Sequence, residues 1–242
     1  DEFFQRRAAA ARFWPESPDL LAGQDLVAGG TWLGLTRQGR LAAITNFREA
    51  PAAATTASPA LRSRGQLTLD YLTGSQQPVS FLKQLDAQRH NYQGFNLLLG
   101  DRHGLHYYSN RQGRVQTLEP GIYGLSNHLL NTAWPKVDGG RDSLRQALAR
   151  LPDTEPLLAF LQNPAQAPDH RLPSTGVPLA WERLLSSAFI DSPEYGTRAT
   201  TLITVDRQGT ATFAEHSYLK PNPQQPSQPA PQIAEFEFEF TK

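Results

Sequence analysis

Cysteine and methionine are both absent from this 242-residue chain. The lack of cysteine excludes disulfide bonds, thiolate metal sites and a thiol nucleophile within these residues, and it leaves the redox compartment undetermined. The lack of methionine indicates that the natural start codon is not represented. We therefore expect a segment upstream of Asp1, in which a signal peptide could also have stood.

Long apolar runs and an excess of either charge are missing as well. The 19 prolines and 18 glycines interrupt every hydrophobic stretch, so no segment approaches the length needed to cross a bilayer. Lys and Arg together number 23, as do Asp and Glu, and this balance gives no broad positive field for a phosphate backbone. We expect a soluble, cytoplasmic protein that binds no nucleic acid, and the oligomeric state stays open.

Strand patterns dominate what is present. Alternating or β-branched runs predict strands at 31–36, 40–45, 95–99, 106–109, 121–125, 200–205 and 210–216. Gly39 and Gly104 stand between neighbouring runs and predict hairpin turns. Helical patterns occupy 66–72, 79–88, 142–151, 155–161 and 179–186, and Leu144, Leu148 and Leu151 predict an apolar face that packs on a sheet. This order of elements favours a layered α+β domain.

The domain organisation predicted from composition is a single domain at 1–219, a linker at 220–232 and a terminal segment at 233–242. The linker is rich in Pro and Gln and cannot bury much apolar surface. Phe236, Phe238 and Phe240 alternate with glutamates, which predicts an edge strand whose acidic face discourages aggregation. A strand that binds a partner is the alternative.

Seven segments occur in the order and rough spacing of one family. They are Asp1-Glu2-Phe3-Phe4, Gly29-Gly30-Thr31-Trp32-Leu33-Gly34, Leu41 to Glu49, Phe95-Asn96-Leu97-Leu98 before Gly100-Asp101, Gly124-Leu125-Ser126-Asn127, Trp134-Pro135-Lys136-Val137 and Tyr195-Gly196-Thr197-Arg198. Through these segments the chain resembles the NRDE family, also called the transport and Golgi organisation type-two family, up to about Lys220. One departure is Asn131, where relatives tend to show Asp.

The resemblance implies a fold and a missing nucleophile. Members are similar to N-terminal-nucleophile hydrolases, so the expected architecture is a four-layer αββα sandwich of two antiparallel sheets between helices. Members typically begin Met-Cys, with that Cys on a first strand that would precede Asp1. Asp1 and Glu2 correspond to the second half of an Asn-Arg-Asp-Glu motif, and the Asp of related hydrolases orients the nucleophile's amine.

Asn46 and Asn127 each close a predicted strand. Their side-chain N–H groups could stabilise an oxyanion or hold a substrate carbonyl. Equally, Asn commonly ends strands because its side chain satisfies turn backbone groups. Both interpretations stand at this point.

Arg198 precedes the β-branched run that begins at Thr200. Its guanidinium could grip a carboxylate or polarise a carbonyl, and a structural salt bridge to Asp191 or Glu194 is the alternative. Arg48 has the same two interpretations. Trp32 is a candidate ligand contact, although all four tryptophans are expected mainly in the core.

No metal site is expected, since His103 and His106 straddle a turn and lack further convergent donors. No cofactor is required, and covalent haem is excluded by the absence of a Cys-x-x-Cys-His motif, although haem remains possible as a bound ligand.

Two function classes follow from the resemblance. The first is a binding or mobilising protein that holds a small apolar acidic ligand, haem or an acyl lipid, with Arg198, Arg48 and Trp32 as contacts. The second is a cysteine N-terminal-nucleophile amidohydrolase that acts on a small non-peptide amide. Its nucleophile would lie upstream of residue 1, and Asp1, Asn46, Asn127 and Arg198 would form the rest of the site.

Overall fold

The computed structural model describes residues 1–50, 61–218 and 231–241. Within these ranges the chain is a mixture of α and β structure with large antiparallel sheets and few helices. The strands are β1 Glu2–Phe3, β2 Ala8–Trp14, β3 Ser17–Asp25, β4 Leu33–Thr36, β5 Leu41–Asn46, β6 Phe95–Asp101, β7 Gly104–Ser109, β8 Arg114–Leu118, β9 Tyr195–Gly196, β10 Ala199–Val205, β11 Thr210–Ser217 and β12 Gln232–Glu239. The helices are α1 Gly65–Thr73, α2 Pro78–Asp86, α3 Pro135–Ala147, α4 Glu155–Leu161 and α5 Leu179–Leu184.

Strands β2 to β8 form a seven-stranded sheet in sequence order, and every neighbouring pair is antiparallel. Successive side chains of a strand point to opposite faces, so each face takes alternate residues. One face carries Leu20, Ala22 and Leu97, which pack with α1 and α2 through a cluster that includes Tyr71 and Leu82. Helices therefore cover this face of the sheet.

The opposite face of the sheet packs on a second sheet, in which β10, β11 and β12 are antiparallel and in that order. Leu21 and Leu35 from the large sheet meet Phe213 and Phe238 from the small one, with Phe236 and Phe240 alongside. The predicted alternation of phenylalanine and glutamate thus forms a strand, Gln232–Glu239, at one edge of the small sheet. The predicted linker at 220–232 falls almost entirely outside the described residues.

A third, short pairing joins the start of the chain to the segment just before β10. Strand β1 pairs antiparallel with β9, and Glu2 lies opposite Gly196 while Phe3 lies opposite Tyr195. This pairing brings the Asp1-Glu2 segment beside the segment that contains Arg198.

The two predicted hairpins are confirmed. Gly39 adopts φ 79° between β4 and β5, and Gly104 adopts φ 158° at the start of β7. Both values lie in the region that favours glycine. The predicted strand at 121–125 is wrong, because these residues form an irregular segment in which Gly124 exchanges hydrogen bonds with Asn131 instead of pairing with a strand. Strands β2, β3 and β8 had not been predicted.

Helix α3 differs from its prediction in both extent and face. It begins at Pro135 and ends at Ala147, whereas the sequence pattern predicted 142–151. Leu148 and Leu151 remain 48% and 45% exposed, so the predicted apolar face on a sheet is wrong. The helix instead runs through Gly139 and Gly140 because Phe160 of α4 packs closely against both glycines.

Two of the four tryptophans lie in the core. Trp14 and Trp134 are buried, whereas Trp32 is half-buried and Trp181 is 36% exposed. The prediction that all four pack mainly in the core is therefore wrong for Trp181, which contacts Phe3 and Tyr195 edge-on near the surface.

Candidate functional site

A cavity of about 1060 Å³ lies where β5 ends, where β1 meets β9, and where the irregular segment around Gly124 passes the first turns of α3. Its lining includes Asp1, Trp32, Asn46, Asn127 and Arg198. These five residues were all candidates from the sequence, and the fold brings them to one space although nearly 200 positions separate the first from the last. The functional roles assigned to them stay predictions.

Asp1 is held by the segment opposite it. Thr197 donates its hydroxyl to Asp1 Oδ1 at 2.8 Å, and the Ile190 N–H donates to Thr197 Oγ1 at 2.9 Å. Since the β1–β9 pairing fixes both backbones, the carboxylate has a defined place at the cavity wall.

Asn46 and Asn127 lie next to each other on adjoining segments and are joined by a hydrogen bond. Asn127 Nδ2 donates to the carbonyl of Asn46 at 3.0 Å, so one of its two amide hydrogens is used structurally. The Arg48 N–H donates to the Asn127 carbonyl at 2.6 Å. This arrangement serves the strand-end interpretation, and it also holds the Asn127 amide beside the cavity with one hydrogen left over.

A network of buried polar side chains on β5, β6 and β7 holds the segment 124–131 in place. Thr45 donates to the Ser126 carbonyl at 2.8 Å, and Asn96 Nδ2 donates to the His128 carbonyl at 3.0 Å. Tyr107 donates to Asn96 Oδ1 at 2.9 Å and accepts the Leu130 N–H at 3.1 Å. Networks in which every member is satisfied rigidify the segments they join, so this wall of the cavity is preorganised.

Asn131, the departure from the family pattern, is a turn residue. It has φ 59°, a left-handed conformation that Asn tolerates better than most residues. Its Oδ1 accepts the Gly124 N–H at 2.9 Å. An Asp oxygen would accept the same bond, so the loss of the carboxylate does not disturb this contact.

The guanidinium of Arg198 binds backbone carbonyls and does not pair with Asp191 or Glu194, the two acids that the sequence suggested as partners. Nη1 donates to the carbonyls of Phe3 at 3.2 Å and Arg6 at 2.9 Å, and the guanidinium carbon lies 5.6 Å from the centre of the Phe4 ring. Among the described residues no carboxylate lies within 4.0 Å of it. Its positive charge is thus available at the cavity edge.

Trp32 lies against β3, where glycine makes room for it. A Cβ on Gly23 would stand 2.6 Å from Trp32 Cζ2, which is closer than real contacts allow. Gly23 therefore fixes where the indole of Trp32 lies in the cavity wall.

Arg48 does not line the cavity. Its guanidinium pairs with Glu182 of α5 at 3.0 Å, and the two side chains are 7% and 4% exposed. It also lies 4.7 Å from the ring centre of Trp134. Glu182 accepts two further bonds from Thr175, at 2.8 and 2.7 Å. This geometry gives Arg48 a structural part in holding α5 and the strand end together.

Basic side chains prevail in the cavity lining. Seven are basic, Arg6, Arg7, Arg62, Arg64, Lys136, Arg141 and Arg198, and three are acidic, Asp1, Glu2 and Asp25, which leaves four positive charges in excess. Arg6 pairs with Asp25 at 2.6 Å, and this bond and the backbone N–H groups of Val27 and Ala28 outweigh burial and hold the pKa of Asp25 below its usual value.

Lys136 is the site residue that the sequence had not distinguished, although it stands inside one of the resemblance segments. It occupies the second position of α3, after Pro135. Burial, with the nearby charge of Arg48, lowers the pKa of its amine from 10.5 to about 8. Only the long-range approach of α3, α5 and β5 creates these surroundings, so no local pattern could have revealed them.

Apolar side chains complete the wall, among them Ile44, Leu61, Leu125, Val137, Phe160 and Leu161. Within the described ranges, no group of three or more His, Cys, Asp or Glu side chains converges as a metal site would require. The described helices also include none that is long and apolar enough to cross a membrane. The cavity lining therefore combines an excess of positive charge with apolar side chains.

Comparison with known proteins gives a consistent result. The family described as Transport and Golgi organisation 2 matches residues 1–220. The Transport and Golgi organization protein 2 homolog of Bos taurus is 39% identical over 247 residues, which cover 92% of this chain and 86% of that protein. The Homo sapiens homolog is 36% identical over 241 residues, with 90% and 84% covered, and the Mus musculus homolog is 35% identical over 237 residues, with the same coverage.

Proposed function

Because this chain belongs to the Transport and Golgi organisation 2 family, we propose that it binds a small anionic ligand with an apolar body, of the haem or acyl-lipid kind, in the cavity beside Arg198. The observation that carries this proposal is the excess of four positive charges in a cavity of about 1060 Å³ that also has apolar walls. The chain as a whole has no net charge, so the positive charge is local to the cavity.

The charge favours an anion for a physical reason. Each cation in a confined, partly dry space repels its like neighbours, and an entering carboxylate or phosphate relieves that repulsion while accepting charge-assisted hydrogen bonds. Arg141 supports this argument, because its Nε is buried and has no hydrogen-bond partner among the described residues. A buried donor of that kind gains when a ligand supplies an acceptor.

The apolar side chains of the cavity wall indicate that the ligand also has an apolar body. Cavities that hold drug-sized molecules are about 300–1000 Å³ and are lined mainly by hydrophobic and aromatic side chains. Trp32, Val137 and Phe160 contribute such surface to the lining. A ligand with an apolar body and one acidic end matches both parts of the lining.

The fold and the family agree with this function without specifying it. Both antiparallel sheets contribute to the cavity lining, through Ile44 and Ala199, as do α3 and α4. We propose the four-layer N-terminal-nucleophile-hydrolase-like sandwich as the finer description of the architecture. The names of the relatives refer to transport and Golgi organisation, and they specify no reaction.

Direct titration tests the proposal. We expect haem and a long-chain acyl-coenzyme A to bind saturably at micromolar concentration, and to change tryptophan emission because Trp32 lies in the wall. Arg198→Gln should weaken binding about tenfold or more, the cost of one charge-assisted hydrogen bond. Arg145→Gln is the matched control, since Arg145 lies on α3 and is exposed, paired with Asp142 and outside the lining. Absence of saturable binding for both ligands would remove the basis of the proposal.

A specific observation keeps the amidohydrolase as the second candidate. Asp1, Asn46, Asn127 and Arg198 line the same cavity, which is the arrangement that a nucleophile supplied from upstream would need. The test uses the protein with an upstream Cys at its amino terminus. Turnover of small amides, together with labelling of that Cys by a thiol-directed acylating probe, would support hydrolysis, and failure of both would exclude it.

A further inference from the structure

Lys136 stands in surroundings that disfavour the charged form of its amine. It lies in the first turn of α3, the end of a helix where the aligned peptide dipoles are positive and disfavour cations. The Arg48 guanidinium adds positive charge nearby, although Glu182 partly offsets it. The position at the helix terminus and the neighbouring charge both favour the neutral amine over that of a solvated lysine.

The partners of the amine leave it free to react. The Nζ atom has one long contact, to the Ser187 carbonyl at 3.5 Å. In the part of the chain that the structure describes, no carboxylate lies within 4.0 Å of it. Burial lowers its pKa to about 8, so about a tenth of the amine is unprotonated at pH 7, far more than for a lysine of ordinary pKa. Lysines that are desolvated beside another cation are activated nucleophiles in this way.

We propose that Lys136 is a nucleophilic amine that captures an anionic aldehyde or ketone in the cavity as an imine. The nitrogen lone pair attacks the carbonyl carbon, and a carbinolamine forms. The carbonyl oxygen then leaves as water together with the two amine hydrogens, while the carbon–nitrogen double bond forms. The step needs no oxidant, reductant or further reactant.

The anionic group has its own place in the cavity. Residues 136, 137, 140 and 141 of α3 all line the cavity, so this helix presents one face to it. Lys136 and Arg141 are five positions apart, about 7.5 Å along the helix axis. The buried, unpartnered Arg141 Nε can receive the anion while Lys136 meets the carbonyl. This inference rests on the proposed function, because the same cavity must admit the acid.

Pyridoxal 5′-phosphate is a suitable probe, because it combines an aldehyde, a flat apolar ring and a phosphate. The protein is incubated with it at pH 7.5, the imine is reduced with borohydride, and the modified positions are found by peptide mass spectrometry. The chain has lysines at only 83, 136, 220 and 242. Peptide mapping distinguishes these from the α-amine of Asp1, which lines the same cavity and can also form an imine. We expect Lys136 to be labelled about tenfold faster than the exposed Lys83, because its lower pKa exposes more neutral amine.

Pyridoxal, which lacks the phosphate, is the matched probe for charge. We expect it to label Lys136 more slowly than the phosphate ester does. Arg141→Gln should bring the rate for the phosphate ester down to that of pyridoxal and leave the pyridoxal rate unchanged. Lys136→Met should abolish the fast labelling, Lys83→Met should preserve it, and thermal unfolding should show that each variant folds.

The outcomes separate this inference from the binding function. If the phosphate ester binds saturably and Lys136 is modified no faster than Lys83, the nucleophilic role is overturned and the binding function stands. If pyridoxal and its phosphate ester label Lys136 equally fast, anion selection at Arg141 fails and the inference is overturned, whereas the proposed function is still decided by the titration with haem and acyl-coenzyme A. The comparison of labelling rates at Lys136 and Lys83 is made in the wild-type protein. A folding defect in Lys136→Met therefore leaves the test of the nucleophilic role intact.

Discussion

Glu182→Gln tests how much of the cavity depends on the buried pair with Arg48. The substitution keeps the shape of the side chain and an oxygen for Thr175, but it leaves the guanidinium of Arg48 buried without a counter-charge. Breaking a buried pair by neutralising one member costs about 3–5 kcal/mol. For a domain of this size that loss corresponds to a midpoint of thermal unfolding lower by about 6–20 °C.

The assay is thermal and urea unfolding followed by circular dichroism. Asp169→Asn is the matched control, because Asp169 pairs with Arg183, the next residue of α5, at 2.7 Å. That pair is exposed, with side chains 46% and 56% accessible, so water screens the loss. We expect no measurable shift of the midpoint in the control. Equal shifts in the two variants would refute the reasoning from burial.

A double variant separates charge from packing. Arg48→Met with Glu182→Leu removes both charges and keeps apolar volume, and such replacements of buried pairs are often neutral or stabilising. We expect the double variant to recover most of the stability lost in Glu182→Gln. If it is as unstable as Glu182→Gln, the unpaired charge is not the cause of the loss.

Three further predictions concern other parts of the molecule. Gly23→Ala should displace the indole of Trp32, because the new Cβ would stand 2.6 Å from it, and a change in tryptophan emission with weaker ligand binding would show this. Glu215→Leu should destabilise the fold by about 1–3 kcal/mol, measured by urea unfolding, since buried Glu215 accepts the Ala11 N–H at 2.7 Å in the β2 bulge; an unchanged midpoint would contradict it. The pKa of Lys136 is about 8 in the folded chain and 10.5 ordinarily, so the unfolded chain alone holds the proton between these values. Wild-type stability relative to Lys136→Met should therefore rise between pH 8 and 10.5 and stay level below pH 8, and a flat difference would contradict the lowered pKa.

The sequence predicted the central strands of the large sheet well, because their side chains alternate and their turns contain glycine. Strand β6 places Phe95, Leu97 and Leu99 on one face, and such a pattern is legible without a structure. Strand β2 was missed because its run of alanines has little strand propensity. Its pairing with β3, which no local window contains, makes it a strand.

Helix α3 was misplaced for a related reason. The predicted helix at 142–151 rested on the spacing of its leucines, whereas the observed helix extends back through two consecutive glycines, which have poor helix propensity. In the fold, Phe160 needs the space that Gly139 and Gly140 leave, so close packing with α4 outweighs the poor propensity. The lack of a Cβ atom at these two glycines would weaken an isolated helix. In the folded chain it allows α4 to pack close to α3.

Part of the candidate site could be predicted from the sequence, because several of the segments that resemble the family contribute residues to one cavity. Asp1, Asn46, Asn127 and Arg198 line one cavity, whereas Arg48 belongs to a buried ion pair with a residue 134 positions away. Nothing near Arg48 in the sequence indicates Glu182 as its partner. The same limit applies to Lys136, whose surroundings come from distant elements.

The cavity is therefore a product of long-range contacts, and this has a consequence for how variants are interpreted. The β1–β9 pairing, the Arg48–Glu182 pair and the bonds from Arg198 to Phe3 and Arg6 each join segments more than 100 positions apart. Such contacts form only when the whole domain folds, so a substitution in any of them changes stability and cavity shape together. A ligand that binds only the folded state stabilises it by an amount fixed by its dissociation constant and concentration. Affinity and the ligand-induced shift in unfolding must then agree for each variant, and a shift smaller than the affinity requires means that the ligand also binds the unfolded chain.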